Sequence, residues 1–204
     1  METQAKPSSG LFAALILLLP LTFAAAVGAG LLLWAVEHYA DTYLVVAFPI
    51  IAGALVGVIA AAVVRLFKIR AKLFITVICL LAGVILMGTY HFATYYLTFR
   101  QQARELIVDR TGEEPTDAEL DSFIDDLLES EGKQKGFVGF MQLNAEEGFT
   151  ISRATSSSSS SGIELKDTLA WVYWGVEILL AGAIAASMAR KRAEALTPAP
   201  AVAA

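Results

Sequence analysis

Apolar residues dominate four stretches of the chain, Leu11 to Trp34, Thr42 to Val64, Leu73 to Phe99 and Thr168 to Ala189, and charged side chains fall almost wholly between them. Roughly 20 apolar residues at a 1.5 Å rise cover the ~30 Å hydrocarbon core of a bilayer, so each stretch predicts a membrane-spanning helix. The predicted fold class is therefore an all-α membrane protein of four transmembrane helices, with a long insertion, 100–167, between the third and the fourth. Within the insertion, Pro115 and then Thr116-Asp117-Ala118-Glu119 read as a capping box, and Leu120, Phe123, Ile124, Leu127 and Leu128 follow at helical spacing. This predicts an amphipathic helix over 116–130 that ends before Gly132. From Gly136 the apolar residues come in short or alternating pieces, Phe137 to Leu143, Phe149 with Ile151, and Ile163 with Leu165. They predict short strands, or segments lying against the rim of the bundle. The serine tract 156–162 is a flexible linker of roughly 15 Å mean span. After Arg192 the proline- and alanine-rich tail is expected to be disordered.

Composition and charge add an orientation. Hydrophobic residues make up 56 % of the 204 and charged ones only 17 %. Of the formal charge, the segment 100–167 holds seven Lys/Arg against fifteen Asp/Glu, a net of −8, which excludes nucleic acid as its partner. The connection after the second apolar stretch carries Arg65, Lys68, Arg70 and Lys72, and the fourth stretch is followed by Arg190, Lys191 and Arg192. Basic clusters beside spans face the cytoplasm, which predicts both termini inside and the insertion, with the Glu37/Asp41 turn, outside. The first stretch also has features of a secretory signal, with Lys6, an apolar core and Ala24 to Ala26 before a possible cleavage point. Its 24 apolar residues exceed the 7 to 15 usual for a signal core and favour an anchor. Cys79 is the single cysteine, so no disulfide framework exists. Pro20 and Pro49 are each expected to kink their helix.

Packing faces follow from small residues. Gly53 and Gly57 form a G-x-x-x-G pair, and Ala24 with Gly28 and Gly182 with Ala186 repeat the spacing. Helices in lipid associate through close backbone contact that small side chains permit, so these faces are expected to meet protein, with packing inside a four-helix bundle preferred to homodimerisation through Gly53 and Gly57. Aromatic residues from Trp34 and Tyr39 through Tyr90, Tyr95 and Tyr96 to Trp171, Tyr173 and Trp174 are expected to form an interfacial belt.

Glu177 is the one charge deep inside a span, about 13 Å from its outer end. An acidic side chain there costs about 2.5–3.5 kcal/mol on insertion, nearly cancelling the seven Leu, Ile and Val residues around it at about 0.3–0.6 each. The group is expected to be protonated, paired or in a wet cavity. Thr22, Thr89 and the Val45 carbonyl freed by Pro49 lie at its height, and His38 and His91 lie nearer the outer surface, with Glu37 and Asp41. Two histidines without ligand spacing predict no metal site. On the amphipathic helix, Asp117, Asp121, Asp125 and Glu129 form one acidic stripe, a solvated face or a docking strip for a basic partner or divalent cations, although its spacing matches no calcium loop.

The run Gly148 to Ser152, the glycine- and serine-rich gap, and Trp171-Val172-Tyr173-Trp174-Gly175-Val176-Glu177 resemble a pattern in uncharacterised bacterial four-helix membrane proteins. The resemblance covers the last quarter of the chain and implies a bacterial inner membrane, with no activity, cofactor or catalytic residue. No nucleophile elbow, phosphate loop or metal set is present to name a reaction. The expectation is a non-enzymatic accessory or assembly protein that binds partner proteins, or a second copy, through small-residue helix faces and the acidic helix. The alternative is a transporter or channel component that uses Glu177 for proton or cation coupling.

Overall fold

The computed structural model describes residues 9–40, 47–151 and 163–196. It is helical apart from one short two-stranded ladder. In chain order the elements are α1 (Ser9–Ala40), α2 (Ala47–Leu66), α3 (Lys72–Ala93), a π-helical segment (Thr94–Phe99), α4 (Arg100–Thr111), α5 (Asp117–Ser130), α6 (Gly136–Glu147), β1 (Phe149–Ile151), β2 (Ile163–Leu165) and α7 (Thr168–Ala195). Four helical stretches are long and apolar enough to cross a membrane: Ile16–Tyr39, Ala47–Leu66, the continuous run Lys72–Thr111, and Thr168–Ala195. Their outward residues are as apolar as their inward ones. Ile16, Leu32, Ile51, Val58, Leu73, Val176 and Leu179 are all at least half exposed. Such a surface suits a hydrocarbon solvent, and a protein in water would bury it.

The described residues divide into two compact units, one drawn from 1–89 and 177–204, the other spanning Tyr90–Val176. In the first, α1 packs on α2. The buried stripe of α1 is Leu18, Thr22, Ala26, Ala29 and Leu33, at intervals of three and four. Pro20 stands exposed on the opposite side of α1. Pro49 falls in the first described turn of α2, and Val45, whose carbonyl it would free, lies outside the described residues along with Asp41.

The second unit has a core of its own. Leu120, Ile124 and Leu128 of α5, Phe140, Met141 and Ala145 of α6, Ala103 of α4, Tyr95 of the π-helical segment, and Ala170 and Trp174 of α7 bury one another. Two expectations change here. Phe137 to Leu143 form a helix, α6, and not strands, because Phe137, Phe140 and Met141 recur at helical spacing once Asp125 Oδ1 accepts the hydrogen bond of the first α6 amide, Gly136 N, at 3.0 Å. Tyr95 and Trp174 are core residues and not belt residues. Tyr95 packs against Phe99, Phe137 and Phe140 with ring centroids 5.3–6.0 Å apart. Phe149 and Ile151 do form a strand, antiparallel to Ile163–Leu165, with the register Phe149↔Leu165. The serine tract between them lies outside the described residues, as does the chain after Leu196.

Candidate functional site

The four-span unit is joined through glycine. A Cβ on Gly53 would stand 2.5 Å from the Ala181 carbonyl oxygen and 2.8 Å from its Cα, and one on Gly57 would stand 3.0 Å from Ala185 Cα. On the opposite flank of α7, a Cβ on Gly83 would stand 2.6 Å from the Ile178 carbonyl oxygen, and one on Gly182 would stand 2.9 Å from Leu80 Cα. So α7 presses its backbone against both α2 and α3, and the Gly53/Gly57 face is occupied within the chain. Ala186 is buried with them. Ala24 and Gly28 behave otherwise: both are exposed and nothing lies within 4 Å of a Cβ placed on Gly28. The expected packing face at Ala24 and Gly28 is thus not a contact among the described residues, because α1 turns its Thr22/Ala26/Ala29 side inward.

Along α7 one buried stripe runs through Ala170, Trp174, Glu177, Ala181, Ala185, Ala189 and Ala193, with Gly182 and Ala186 buried beside it, while Val172, Val176 and Leu179 face outward. Glu177, 1 % exposed, therefore occupies a protein-facing position and makes a contact within the chain. Thr22 is also fully buried, yet its Oγ1 has no hydrogen-bond partner among the described residues, so it does not clasp Glu177 as expected. Thr89 is half-buried.

The histidines sit among aromatic rings. His38 is exposed, stacked on Trp34 at 5.3 Å and edge-on to Tyr39 at 5.0 Å. His91 lies 4.9 Å from Tyr90 and 5.1 Å from Trp174, with Nε2 buried and without a hydrogen-bond partner among the described residues. Among those residues no three His, Cys, Asp or Glu side chains converge as metal ligands.

The acidic stripe of α5 proves to be spoken for. Asp121 pairs with Arg100, Asp117 accepts from Arg104 Nη2 at 3.1 Å, Asp125 accepts from the Gly136 amide, and Glu129 pairs with Lys135 at 3.2 Å. The repulsion of like charges four residues apart is offset by cations from α4 and from the α5–α6 turn. The Arg100/Arg104 spacing was the readable signal, since two cations four apart on one helix match two carboxylates four apart on an antiparallel neighbour. Glu129 beside it raises the Lys135 ammonium above its usual range. At the start of α5 both capping-box bonds form. The Thr116 amide donates to Glu119 Oε2 at 2.8 Å, and the Glu119 amide donates to Thr116 Oγ1 at 3.3 Å. The bond from the Thr116 amide, and then that from its hydroxyl, hold the Glu119 carboxyl below its ordinary range.

Between α4 and α5 runs a groove of about 880 Å³. Tyr96, Leu97 and Val108 give it apolar ground, and Gln101, Glu105 and Asp109 line its side along α4. The Arg100 guanidinium lies over the Tyr96 ring, 5.2 Å from its centroid. The chain matches no protein-family model, no curated protein and no solved structure.

Proposed function

We propose that the chain is a small membrane accessory or assembly protein, seated in a bacterial inner membrane with both termini cytoplasmic, whose folded unit Tyr90–Val176 docks a partner protein. The observation that carries this reading is the α4–α5 groove on a unit with its own hydrophobic core. Docking centres on this groove, walled on the α5 side by Asp117 and Asp121 of the acidic stripe in their pairs with Arg104 and Arg100, and moves away from the Gly53/Gly57 face, which α7 fills. The groove joins aliphatic ground to an aromatic ring and two arginines, residue types enriched at protein-binding surfaces. A photo-crosslinking residue at Leu97 or Val108 is expected to give a discrete adduct in cells, and one at the exposed Val138 of α6 none. Equal adducts from Val138, or none from the groove, would reject the reading, and an adduct of twice the chain's mass would make the partner a second copy.

A second reading rests on Glu177, a carboxyl on the protein-facing stripe of a membrane-length helix. Such groups mark proton and cation paths. The measurement is pH-dependent flux in proteoliposomes. Glu177→Gln keeps a hydrogen-bonding amide but carries no proton, so flux that survives it ends this reading.

A further inference from the structure

Where α2 and α7 end, the four-span unit carries a second groove of about 760 Å³. It changes character along its length. Val58 and Ala62 of α2 and Met188 of α7 line its apolar part, and Arg65, Lys191 and Arg192 stand at its mouth. Val58, Ala62 and Arg65 follow at intervals of four and three, so they share one side of α2 and the apolar floor runs roughly 10 Å from the cations into the span. Leu66, 75 % exposed, adds further apolar surface to the lining. Among the described residues none of the three cations is ion-paired, whereas Lys72 nearby is held by Glu194 at 3.2 Å. The neighbouring groove on α7, lined by Thr76, Ser187, Arg190 and the shared Lys191, contains Glu194 and so supplies its own anion, whereas Arg65 and Arg192 line the α2–α7 groove alone.

We propose that the α2–α7 groove binds one anionic phospholipid, with an acyl chain along Val58, Ala62 and Met188 and the phosphodiester on Arg65, Lys191 and Arg192. Charge complementarity selects the headgroup, because three uncompensated cations at the end of a span attract a lipid phosphate. The apolar floor selects a lipid over a soluble anion, since it lies within the membrane-length stretch of α2. Long cationic stems can lie along this surface while their heads reach the phosphate.

The test is native mass spectrometry of the full chain, extracted in mild detergent and titrated with phosphatidylglycerol or with phosphatidylcholine of the same acyl chains. One retained phosphatidylglycerol is expected, with phosphatidylcholine retained at least tenfold more weakly. Each cation removed is expected to cost about fivefold, so Arg65→Gln with Arg192→Gln should weaken retention about 25-fold, while Lys68→Gln with Arg70→Gln leaves it within twofold. Ala62→Trp, which fills the floor without changing charge, should also abolish retention. Equal retention of the two lipids by the unmodified chain overturns the proposal, and this arm needs no variant to fold. Equal loss in both paired variants shows diffuse surface charge, displacement by millimolar inorganic phosphate shows a soluble-anion site, and either result overturns it too.

Discussion

Gly53→Ala and Gly28→Ala place the same methyl on two membrane-length helices and are expected to act with opposite sign. At Gly53 the new carbon meets the Ala181 carbonyl oxygen at 2.5 Å and its Cα at 2.8 Å, where ordinary contact begins near 3.4 Å. The obstacle is backbone, so no rotamer relieves it, and α2 and α7 must separate by about 0.9 Å. Overpacking of this kind costs about 1–3 kcal/mol, against a helix-propensity gain of no more than about 1 kcal/mol. Separation also forfeits dispersion contacts along the whole interface, and in lipid no hydrophobic drive replaces them. The expected net loss is about 1–2 kcal/mol. At Gly28 nothing lies within 4 Å, so the propensity gain stands alone and the variant should be unchanged or more stable by up to about 1 kcal/mol. Reversible unfolding in mixed micelles of rising dodecyl sulfate fraction, followed by circular dichroism and tryptophan emission, gives both values. Equal midpoints for Gly53→Ala and the unmodified chain, or a larger loss at Gly28, would refute the close α2–α7 contact.

In the second unit, Leu128→Ala is expected to cost about 2–5 kcal/mol because the side chain is fully buried, and the loss should appear as earlier proteolysis at α5 and α6. Thr116→Ala removes the hydroxyl half of the capping box, leaving the amide bond to Glu119, and should cost about 1 kcal/mol in the same assay. The capping box also sets a pH dependence. Since the folded state lowers the Glu119 carboxyl, its contribution is full above the unfolded pKa and is lost as pH falls through the folded one. Stability followed from pH 6 downward should therefore fall as Glu119 is protonated, and Thr116→Ala, which loses the hydroxyl bond but keeps the amide one, should reduce this pH dependence without abolishing it. Asp125→Ala leaves the Gly136 amide without its acceptor and should fray the first turn of α6, seen as faster amide exchange over 136–139.

The four spans were legible because length and hydropathy decide them before any tertiary contact does. The amphipathic period of Leu120 to Leu128 and the Thr116/Glu119 pair likewise carry α5 within a single window. Three features were not legible for one shared reason, that they depend on pairing between elements distant in sequence. Phe137 to Leu143 read as strand or as a segment against the rim, because Asp125, whose carboxylate supplies an acceptor to the helix start, lies eleven residues before Gly136. The α5 stripe looks vacant within its own helix, and only the matching Arg100/Arg104 spacing on α4 signals its partners. Which small-residue face of α1 turns inward cannot be read from spacing, since Ala24/Gly28 and Ala26/Ala29 are both eligible, and contact with α2 chooses the second. Continuation of the third span through the π-helical segment into α4 was hidden by Arg100, which ends the apolar run but not the helix.

Glu177 stands in a stripe whose next members along α7, Ala181, Ala185, Ala189 and Ala193, are small because α2 and α3 approach the backbone closely there. A carboxyl in that row adds about 2.5–3.5 kcal/mol to insertion, offset in part by the contact it makes within the chain. The docking groove lies in the unit Tyr90–Val176 and the lipid groove at the ends of α2 and α7, so neither uses Glu177. Glu177→Gln should consequently leave groove crosslinking and phosphatidylglycerol retention unchanged. Loss of either in that variant, with the helical content intact, would mean that the carboxyl supports the fold of the spans and that its cost is a structural one.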